Sequence, residues 1–317
     1  MALGKAGGRG FKSRRRLQNT LVRNVPVYTY KYIDLPRFTK WSIERVAKAI
    51  NSGLKSICIT LDLGITTKCI ELRDKSLVIN NCEISIDELK NLKDNLIYEL
   101  SISDCRFRAL AIYTKEKFYK LKPVGEREAP TIEISGIQMH RTVGITPWRD
   151  AEIKVRSVGN MRGKRILEIG TGLGYTASWV LKLGAREIIT IEADRNVLLL
   201  AQHNPWSKTL EDKRIEIYLA NAVELLPQIP SNSFDIIIHD PPRINIAGEL
   251  YSYEFYKELH RVLKPSGRIF HYTGIPGKHS NISYLKGIKE RLLKAGFENI
   301  KWVEKAQGFK AIKPKYY

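Results

Sequence analysis

From Arg165 onward, short and strongly apolar segments alternate with segments of helical periodicity. Strands are predicted at 165–169, 187–191, 214–218, 234–239, 267–272 and 299–304, and helices at 174–183, 195–203, 221–227, 251–263 and 283–295. A nearly continuous apolar run such as 234–238 needs apolar cover on both faces, which a strand finds in a parallel sheet between helices. The pattern therefore predicts an α/β fold with a doubly wound, mostly parallel sheet. The segments 297–303 and 309–312 predict a C-terminal antiparallel hairpin strand.

The turn after the first predicted strand is rich in glycine, with Gly170, Gly172 and Gly174 at alternate positions. Glycine lets a ligand approach the backbone and adopts positive φ without strain. The next helix is predicted to begin near Gly174, so its unpaired N–H groups face the same ligand. Taken alone, the turn also fits a dinucleotide site, with Glu192 as the acidic residue about twenty residues further on.

Two segments with acidic residues indicate which kind of ligand the turn binds. Glu168 lies two residues before the first glycine, inside the predicted strand. A buried carboxylate is costly unless it meets a cation or hydrogen-bond donors, so Glu168 favours a ligand with an amino group over a pyrophosphate. The segment Asp240-Pro241-Pro242-Arg243 follows the fourth strand, at the edge where open α/β sheets bind their ligands.

With Glu192 ending the second strand and Asn221-Ala222 following the third, these segments resemble the motif series of class I S-adenosylmethionine-dependent methyltransferases. The resemblance implies a Rossmann-like fold with S-adenosylmethionine as the methyl donor. It implies that Glu168 anchors the amino group of the donor, that Glu192 accepts hydrogen bonds from the ribose hydroxyls, and that Asn221 and Ala222 lie at the adenine edge. The turn residues implied to approach the donor are Gly170, Thr171, Gly172 and Gly174.

Asp240-Pro241-Pro242 resembles the Asp/Asn-Pro-Pro-aromatic motif of amino methyltransferases, with Arg243 in place of the aromatic residue. The resemblance implies that the Asp240 carboxylate and the Pro241 carbonyl accept the two hydrogens of an acceptor NH₂ group. The nitrogen lone pair then points at the methyl carbon, and positioning supplies most of the acceleration. The prolines fix φ, and Arg243 can stack on a base or pair with a phosphate. These four residues are the predicted catalytic set.

A longer match covers residues 55–312 and resembles a group of predicted archaeal methyltransferases with the same Asp-Pro-Pro-Arg motif. Its segments are 133–142, 172–176, 239–243 and 270–274. Residues near the predicted substrate edge are candidate substrate contacts, namely His140, Arg141, Trp148, His271 and Tyr272. His239 alternates away from the cleft and is predicted to orient the turn that carries Asp240.

The charge of the chain favours a polyanionic partner. Its 53 Lys and Arg residues against 33 Asp and Glu residues give a net charge of +20. Basic side chains gain affinity for nucleic acid by releasing counterions from phosphates. We therefore predict methylation of an exocyclic amine of RNA (cytosine N4, adenine N6 or guanine N2) in rRNA or tRNA. The alternatives are a protein (lysine) or small-amine N-methyltransferase, for which cationic polyamines match a basic enzyme poorly, and a non-enzymatic donor-binding RNA chaperone.

Three regions are predicted: a basic flexible arm at 1–40, a small α+β module for substrate binding at 41–130, and the methyltransferase domain at 131–317. The arm begins with basic residues and no acidic ones: Lys5, Arg9, Lys12, Arg14, Arg15, Arg16 and Arg23. No apolar run reaches the length of about 20 residues that a membrane span needs, and no secretory signal is evident, so a cytoplasmic location is expected.

The four cysteines, Cys58, Cys69, Cys82 and Cys105, are widely spaced and form no C-x-x-C motif. The spacing argues against a zinc site or a disulfide framework, so scattered buried thiols and no metal are expected.

Overall fold

The computed structural model describes residue 22 and residues 25–275 and 283–315. The first seven basic residues of the predicted arm lie outside this range. The described part of the arm is packed against the large domain, and the flexibility of the arm as a whole stays a prediction. Tyr28 N–H donates to the Ile217 carbonyl at 2.7 Å, and the Tyr30 hydroxyl donates to the Ala201 carbonyl at 2.6 Å. The arm therefore covers one edge of the large sheet, where unpaired strand groups would otherwise be exposed.

A small α+β module follows, with its own apolar core. Its elements are β1 (Arg37–Phe38), α1 (Lys40–Asn51), β2 (Ser56–Ile59), β3 (Lys68–Arg73), β4 (Ser76–Ile79), β5 (Cys82–Ser85), α2 (Ile86–Lys90), β6 (Tyr98–Ser101) and β7 (Arg106–Ala109). Strands β2 to β5 form an antiparallel sheet in chain order, and β1, β6 and β7 form a second one. The core includes Phe38, Val46 and Leu77, all fully buried.

The prediction of scattered thiols is wrong, because the structure forms two disulfides within this module. Cys58 and Cys69 are direct partners across β2 and β3, and their Cα atoms are 3.9 Å apart. Cys82 bonds to Cys105, with a Cα–Cα distance of 5.4 Å. The residue spacings of 11 and 23 do not reveal these pairs, because strand register brings the partners together.

A third antiparallel sheet links this module to the large domain. It contains β8 (Ala111–Tyr113), β9 (Phe118–Lys122), β10 (Thr131–Ile134) and β11 (Ile137–Gln138). Strand β9 pairs with β10, with Lys122 opposite Thr131, so strand pairing continues across the predicted boundary between residues 130 and 131. Leu121 and Ile132 share a core with Ile166 of the large sheet. The division into a separate module and domain stays a prediction.

The large domain has the predicted fold. Its elements are α3 (Pro147–Val158), β12 (Arg165–Ile169), α4 (Tyr175–Lys182), β13 (Glu187–Glu192), α5 (Arg195–Gln202), β14 (Ile215–Leu219), α6 (Ala222–Leu225), β15 (Phe234–His239), α7 (Tyr253–Val262), β16 (Leu263–Tyr272), α8 (Ser283–Lys294), β17 (Glu298–Val303) and β18 (Gly308–Ile312). The strand order is β14-β13-β12-β15-β16-β18-β17. The first five are parallel, and β18 runs antiparallel to β16 and β17.

This sheet is covered on both faces. Ile166, Ile188 and Ile236 lie in one apolar core, and their neighbours Leu167 and Ile189 lie in the other. The chain order reverses between β12 and β15, and open sheets bind ligands at the carboxyl ends of the strands beside such a reversal. The fold therefore places the ends of β12 and β15 at the centre of the candidate site. No helix in the described residues is both long and apolar enough to cross a membrane.

Candidate functional site

The glycine turn after β12 is fixed by close contact with the end of β15. Gly170 has φ of 91°, and a Cβ atom there would lie 2.5 Å from the Asp240 carbonyl oxygen. The Asp240 N–H donates to the Ile169 carbonyl at 3.0 Å, which joins the two loops directly. Gly174 is the N-cap of α4, so the turn leads straight into the helix N-terminus as predicted.

Replacing Gly170 with alanine is expected to destabilise the protein by about 2–4 kcal/mol, because the added methyl group clashes with backbone and φ is unfavourable. Gly163 provides a matched control, since its φ is 71° and nothing lies within 4 Å of a Cβ added there. Urea unfolding of both alanine variants measures the difference. Equal losses would show that close approach to Asp240 is not the reason for glycine at position 170.

Glu168 is buried at the carboxyl end of β12, and only one of its carboxylate oxygens has a hydrogen-bond donor. The Thr190 hydroxyl donates to Oε2 at 2.6 Å, whereas Oε1 has no partner among the described residues. The pKa of Glu168 is raised to about 8, chiefly by burial and with smaller contributions from the carboxylates of Asp240 and Glu192, although the Thr190 hydrogen bond opposes the rise. The Thr171 hydroxyl bonds to the Thr190 hydroxyl at 2.7 Å and so extends this network. An unpaired buried acceptor is costly, and a ligand cation would satisfy it.

Glu192 ends β13 and holds the glycine turn in place. Its Oε2 accepts from the Gly172 N–H at 2.9 Å, and its Oε1 accepts from the Asp194 N–H at 3.0 Å. Asn221 follows β14 and is the N-cap of α6, accepting from the Val223 N–H at 2.9 Å. Ala222 is the first residue of that helix. The predicted ribose and adenine contacts of these residues stay predictions.

Asp240 bonds to a lysine that the sequence analysis did not select. Lys154 of α3 donates to Asp240 Oδ2 at 2.7 Å and lies 3.0 Å from Asp150 Oδ2. Its ammonium also lies 3.8 Å from the centre of the Tyr272 ring. Burial raises the pKa of Asp240, and the Lys154 ammonium opposes that effect. Arg141 completes the row by donating to Asp150 Oδ1 at 2.8 Å.

The two prolines differ in their surroundings. The Pro242 carbonyl accepts from the Tyr251 hydroxyl at 2.9 Å, so it is already used within the protein. No donor to the Pro241 carbonyl is found in the described part of the chain, which leaves it the candidate acceptor beside Asp240. Arg243 is exposed, and its carbonyl accepts from the Ile246 and Ala247 amides in a following turn.

Two stacked histidines lie at the ends of the strands beside this loop. His239 and His271 are paired residues on β15 and β16, with ring centres 4.5 Å apart. The His239 ring nitrogen Nε2 bonds to the Leu250 carbonyl at 2.9 Å, and His271 Nε2 bonds to the Tyr256 hydroxyl at 2.8 Å. Burial lowers the pKa of His239 to about 4 and lowers that of His271 as well, so both are neutral near pH 7. Both residues are fully buried, and the substrate contact predicted for His271 stays a prediction.

Some residues in and just after the loop before α3 pack against the core, and others contact the site. His140 bonds to the Thr131 hydroxyl at 3.0 Å, and burial lowers its pKa to about 4. Trp148 lies in an aromatic cluster with Tyr175, Trp179 and Trp206. Of the five candidate substrate contacts, Arg141 and Tyr272 are therefore joined to the Asp240 cluster, whereas Trp148 is half-buried among the aromatic rings.

The arrangement has two halves. Glu168 and Glu192 lie around the glycine turn, and Asp240 lies beside it with the Lys154 ion pairs. Carboxylates and carbonyl oxygens suit cationic and N–H-bearing ligands. No cluster of three or more His, Cys, Asp or Glu side chains within the described ranges is placed to hold a metal ion. The site can therefore bring an amine nitrogen close to a ligand on the turn.

Comparisons with known proteins concern both the fold and the reaction. Residues 154–299 match the family described as Spermine/spermidine synthase domain. The chain is 42% identical over 277 residues to the uncharacterized protein MJ1233 of Methanocaldococcus jannaschii, covering 86% of this chain and 94% of that protein. It is 36% identical over 118 residues to Polyamine aminopropyltransferase 2 of Streptomyces coelicolor, covering 35% of this chain but only 21% of that protein.

Among solved structures, a spermidine synthase bound to the transition-state analogue AdoDATO superposes with a TM-score of 0.51 and 21% identity. That match covers 69% of this chain and 79% of the other. The spermidine synthase of Thermotoga maritima gives the same TM-score at 22% identity and covers 69% and 75% of the two chains. At these identities the matches confirm the predicted class I methyltransferase-like fold and nothing finer.

These matches correct the predicted function. The family model and the aminopropyltransferase relatives indicate aminopropyl transfer, so methylation of an RNA base is wrong. The predicted RNA partner and the roles in RNA modification and rRNA processing are wrong for the same reason. The prediction that the protein is an enzyme is confirmed, but the predicted N-methylation is not. The error came from the net charge, which describes the whole surface and not the acidic interior of this site.

Proposed function

We propose that this chain, which belongs to the same family as the protein MJ1233 of Methanocaldococcus jannaschii, transfers an aminopropyl group from decarboxylated S-adenosylmethionine to an amine. The spermidine synthase family uses this decarboxylated donor. The acceptor is a small aliphatic amine. The predicted donor, S-adenosylmethionine itself, shares the sulfonium and the nucleoside but carries an additional carboxylate.

The observation that carries the proposal is the half-satisfied carboxylate of Glu168. Its Oε1 is buried without a partner at the turn, and burial holds its pKa at about 8. The terminal ammonium of an aminopropyl chain would pair with this oxygen and restore an ordinary carboxylate. Glu192 adds a second negative charge at the same turn, which matches a donor with two positive charges.

The cations of the site favour a donor without a carboxylate. Lys154 is bound to Asp240 and Asp150, and Arg141 is bound to Asp150. In the described ranges, both basic side chains of this cluster are thus neutralised by protein carboxylates. An α-carboxylate on the donor would find neither of them available and would lie near Glu168 instead. The donor carboxylate and the Glu168 carboxylate would then repel each other, because both are negatively charged.

The transfer itself is a displacement at carbon. The acceptor nitrogen gives its lone pair to the aminopropyl carbon that is bonded to sulfur, and that carbon–sulfur bond breaks with its electron pair moving to sulfur. The sulfonium becomes the neutral thioether of 5′-methylthioadenosine, and the product nitrogen carries the positive charge until it loses a proton. We assign Asp240 and the Pro241 carbonyl to holding the N–H groups of the acceptor, which aims the lone pair.

The remaining donor contacts follow from the same arrangement. We assign the ribose hydroxyls to Glu192, whose oxygens each retain a lone pair after accepting backbone N–H groups. Asn221 and Ala222 are assigned to the adenine edge, and Gly170, Gly172 and Gly174 to the backbone surface under the aminopropyl chain.

Product analysis tests this function. The full chain is incubated with 1,4-diaminobutane and either decarboxylated S-adenosylmethionine or S-adenosylmethionine, and the products are identified by mass spectrometry. We expect 5′-methylthioadenosine and an aminopropylated diamine with the first donor only. S-adenosylhomocysteine and a methylated amine from the second donor would contradict the proposal, as would no turnover with any aliphatic amine tried.

A further inference from the structure

The acceptor half of the site is a row of alternating charges. Asp240 contacts Lys154 at 2.7 Å, Lys154 contacts Asp150 at 3.0 Å, and Asp150 contacts Arg141 at 2.8 Å. Asp150 and Lys154 are almost fully buried. When all four groups are ionised, the row has no net charge. A second ammonium group placed beside Asp240 would therefore meet the Lys154 ammonium as well as the carboxylate.

The charge beside the bound amine affects the reaction, because an ammonium ion has no free lone pair and cannot attack carbon. An aliphatic amine in water is mostly protonated near pH 7, since its pKa resembles the value of about 10.4 for lysine. The acceptor must lose a proton before its lone pair is available. A fixed positive charge close to the bound nitrogen favours the neutral amine, because like charges within about 4–6 Å disfavour each other.

We infer that Lys154 is a positioning residue that acts through Asp240: it cancels the negative charge of the acceptor half, so that the amine binds and reacts as the neutral base. The inference rests on the proposed function. It assigns the lysine an electrostatic role in acceptor activation, separate from the role of Asp240 in aligning the nitrogen.

The groups around Lys154 support a constant charge. Burial alone lowers the pKa of Lys154, but Asp240 and Asp150 raise it more, so its pKa lies above the ordinary value. Tyr272 contributes the ring face from β16, and burial raises its pKa, so the phenol stays neutral. His140 faces Lys154 from the preceding loop and is neutral above about pH 4. Two further charged or titratable groups lie nearby. Arg141 pairs with Asp150, and Glu168 on β12 interacts electrostatically with Asp240.

The test is the dependence of kcat on pH at saturating donor and 1,4-diaminobutane, because kcat reports the ionisation of bound groups. In Lys154→Met the acceptor half becomes negative and holds the proton on the amine more tightly. We expect the acidic limb of the kcat profile to move up by about one to two pH units. Activity should then be about 10- to 100-fold lower at pH 7 and recover near pH 10. Lys154→Arg retains the charge and should keep the wild-type limb.

Lys264→Met is the matched control, since Lys264 pairs with Asp235 at 3.0 Å at the opposite end of β15 and β16. It should leave the profile unchanged. If Lys154→Met lowers kcat equally at every pH, or if Lys154→Arg loses the wild-type limb, the inference is overturned although the proposed function stands. If wild-type protein transfers no aminopropyl group, the proposed function fails first and the inference with it.

A measurement on wild-type protein covers the case in which Lys154→Met does not fold. Calorimetric titration of 1,4-diaminobutane at pH 7.5, in two buffers of different ionisation heat, counts the protons released on binding. We expect about one proton per diamine, since one of its two ammonium groups becomes neutral. Binding without proton release would contradict the role of Lys154.

Discussion

Replacing Asp240 with asparagine is expected to lower kcat for amine alkylation by about 10²- to 10⁴-fold while changing the Kd of the donor little. Asp240 lies at the end of β15, and its side chain is 21% exposed beside the glycine turn. Asparagine keeps the size but loses the negative charge that holds Lys154 and that, beside the Pro241 carbonyl, strengthens the hydrogen bond from the amine. Steady-state kinetics with donor titrations separates the effect on turnover from the effect on binding.

Asp235→Asn is the matched control for this variant. Asp235 lies near the start of the same strand, 3.0 Å from Lys264, and is far along β15 from the turn. It should keep wild-type turnover once its fold has been verified by circular dichroism. If Asp240→Asn weakens donor binding as strongly as it lowers kcat, Asp240 belongs to the donor half and the assignment of the two halves is wrong.

Replacing Glu168 with glutamine is expected to weaken donor binding by about 10- to 100-fold at pH 8.5 and to remove its dependence on pH. In the free protein, burial holds the pKa of Glu168 at about 8, and the donor ammonium stabilises the ionised form. Donor binding therefore releases a proton. Wild-type affinity should rise with pH up to about 8 and then level off, whereas the glutamine variant should show a flat profile between pH 6 and 9.

The same carboxyl predicts how stability changes with pH. The folded pKa of Glu168 is raised above the unfolded value, so its contribution to stability is complete below pH 4.5 and is lost as pH rises through about 8. Thermal unfolding without donor should show Glu168→Gln gaining stability relative to wild type between pH 5 and pH 9. A constant difference in Tm across that range would contradict the raised pKa.

Much of the fold follows from local pattern. The strands at 165–169 and 234–239 have the predicted bounds, because their apolar runs require burial on both faces whatever the rest of the chain does. The helix from Pro147 to Val158 has proline at its first position, which suits a helix start, and Thr146 caps it. These signals depend only on neighbouring residues.

The buried ion pairs of Lys154 could not be predicted from the sequence. Asp150 and Lys154 are four residues apart on α3, but so are Glu152 and Arg156 on the same helix. The Arg156 side chain is 55% exposed and that of Lys154 5%, so the same spacing gives one pair with an exposed basic partner and one pair that is buried throughout. Only the packing of α3 against β16 tells them apart. The disulfides were missed for a related reason, because strand register is set by the fold.

Charge misled the functional prediction more than any motif did. Residues 1–24 contain seven basic residues and no acidic one, so a third of the net charge of +20 lies far along the sequence from the site residues. The site itself places Glu168, Glu192 and Asp240 around one turn. The carboxylates of the site therefore lie in its interior, although the chain as a whole is basic. The amine acceptor that the Asp-Pro-Pro motif predicts stays a prediction, which the proposed function retains.

The preference for a donor without a carboxylate is measured most directly as the ratio of two dissociation constants. Calorimetric titration at pH 8.5 gives the Kd of decarboxylated S-adenosylmethionine and of S-adenosylmethionine for the same preparation. We predict that the decarboxylated donor binds at least about tenfold more tightly, a difference of about 1.4 kcal/mol. Equal affinity, or tighter binding of S-adenosylmethionine, would contradict the account.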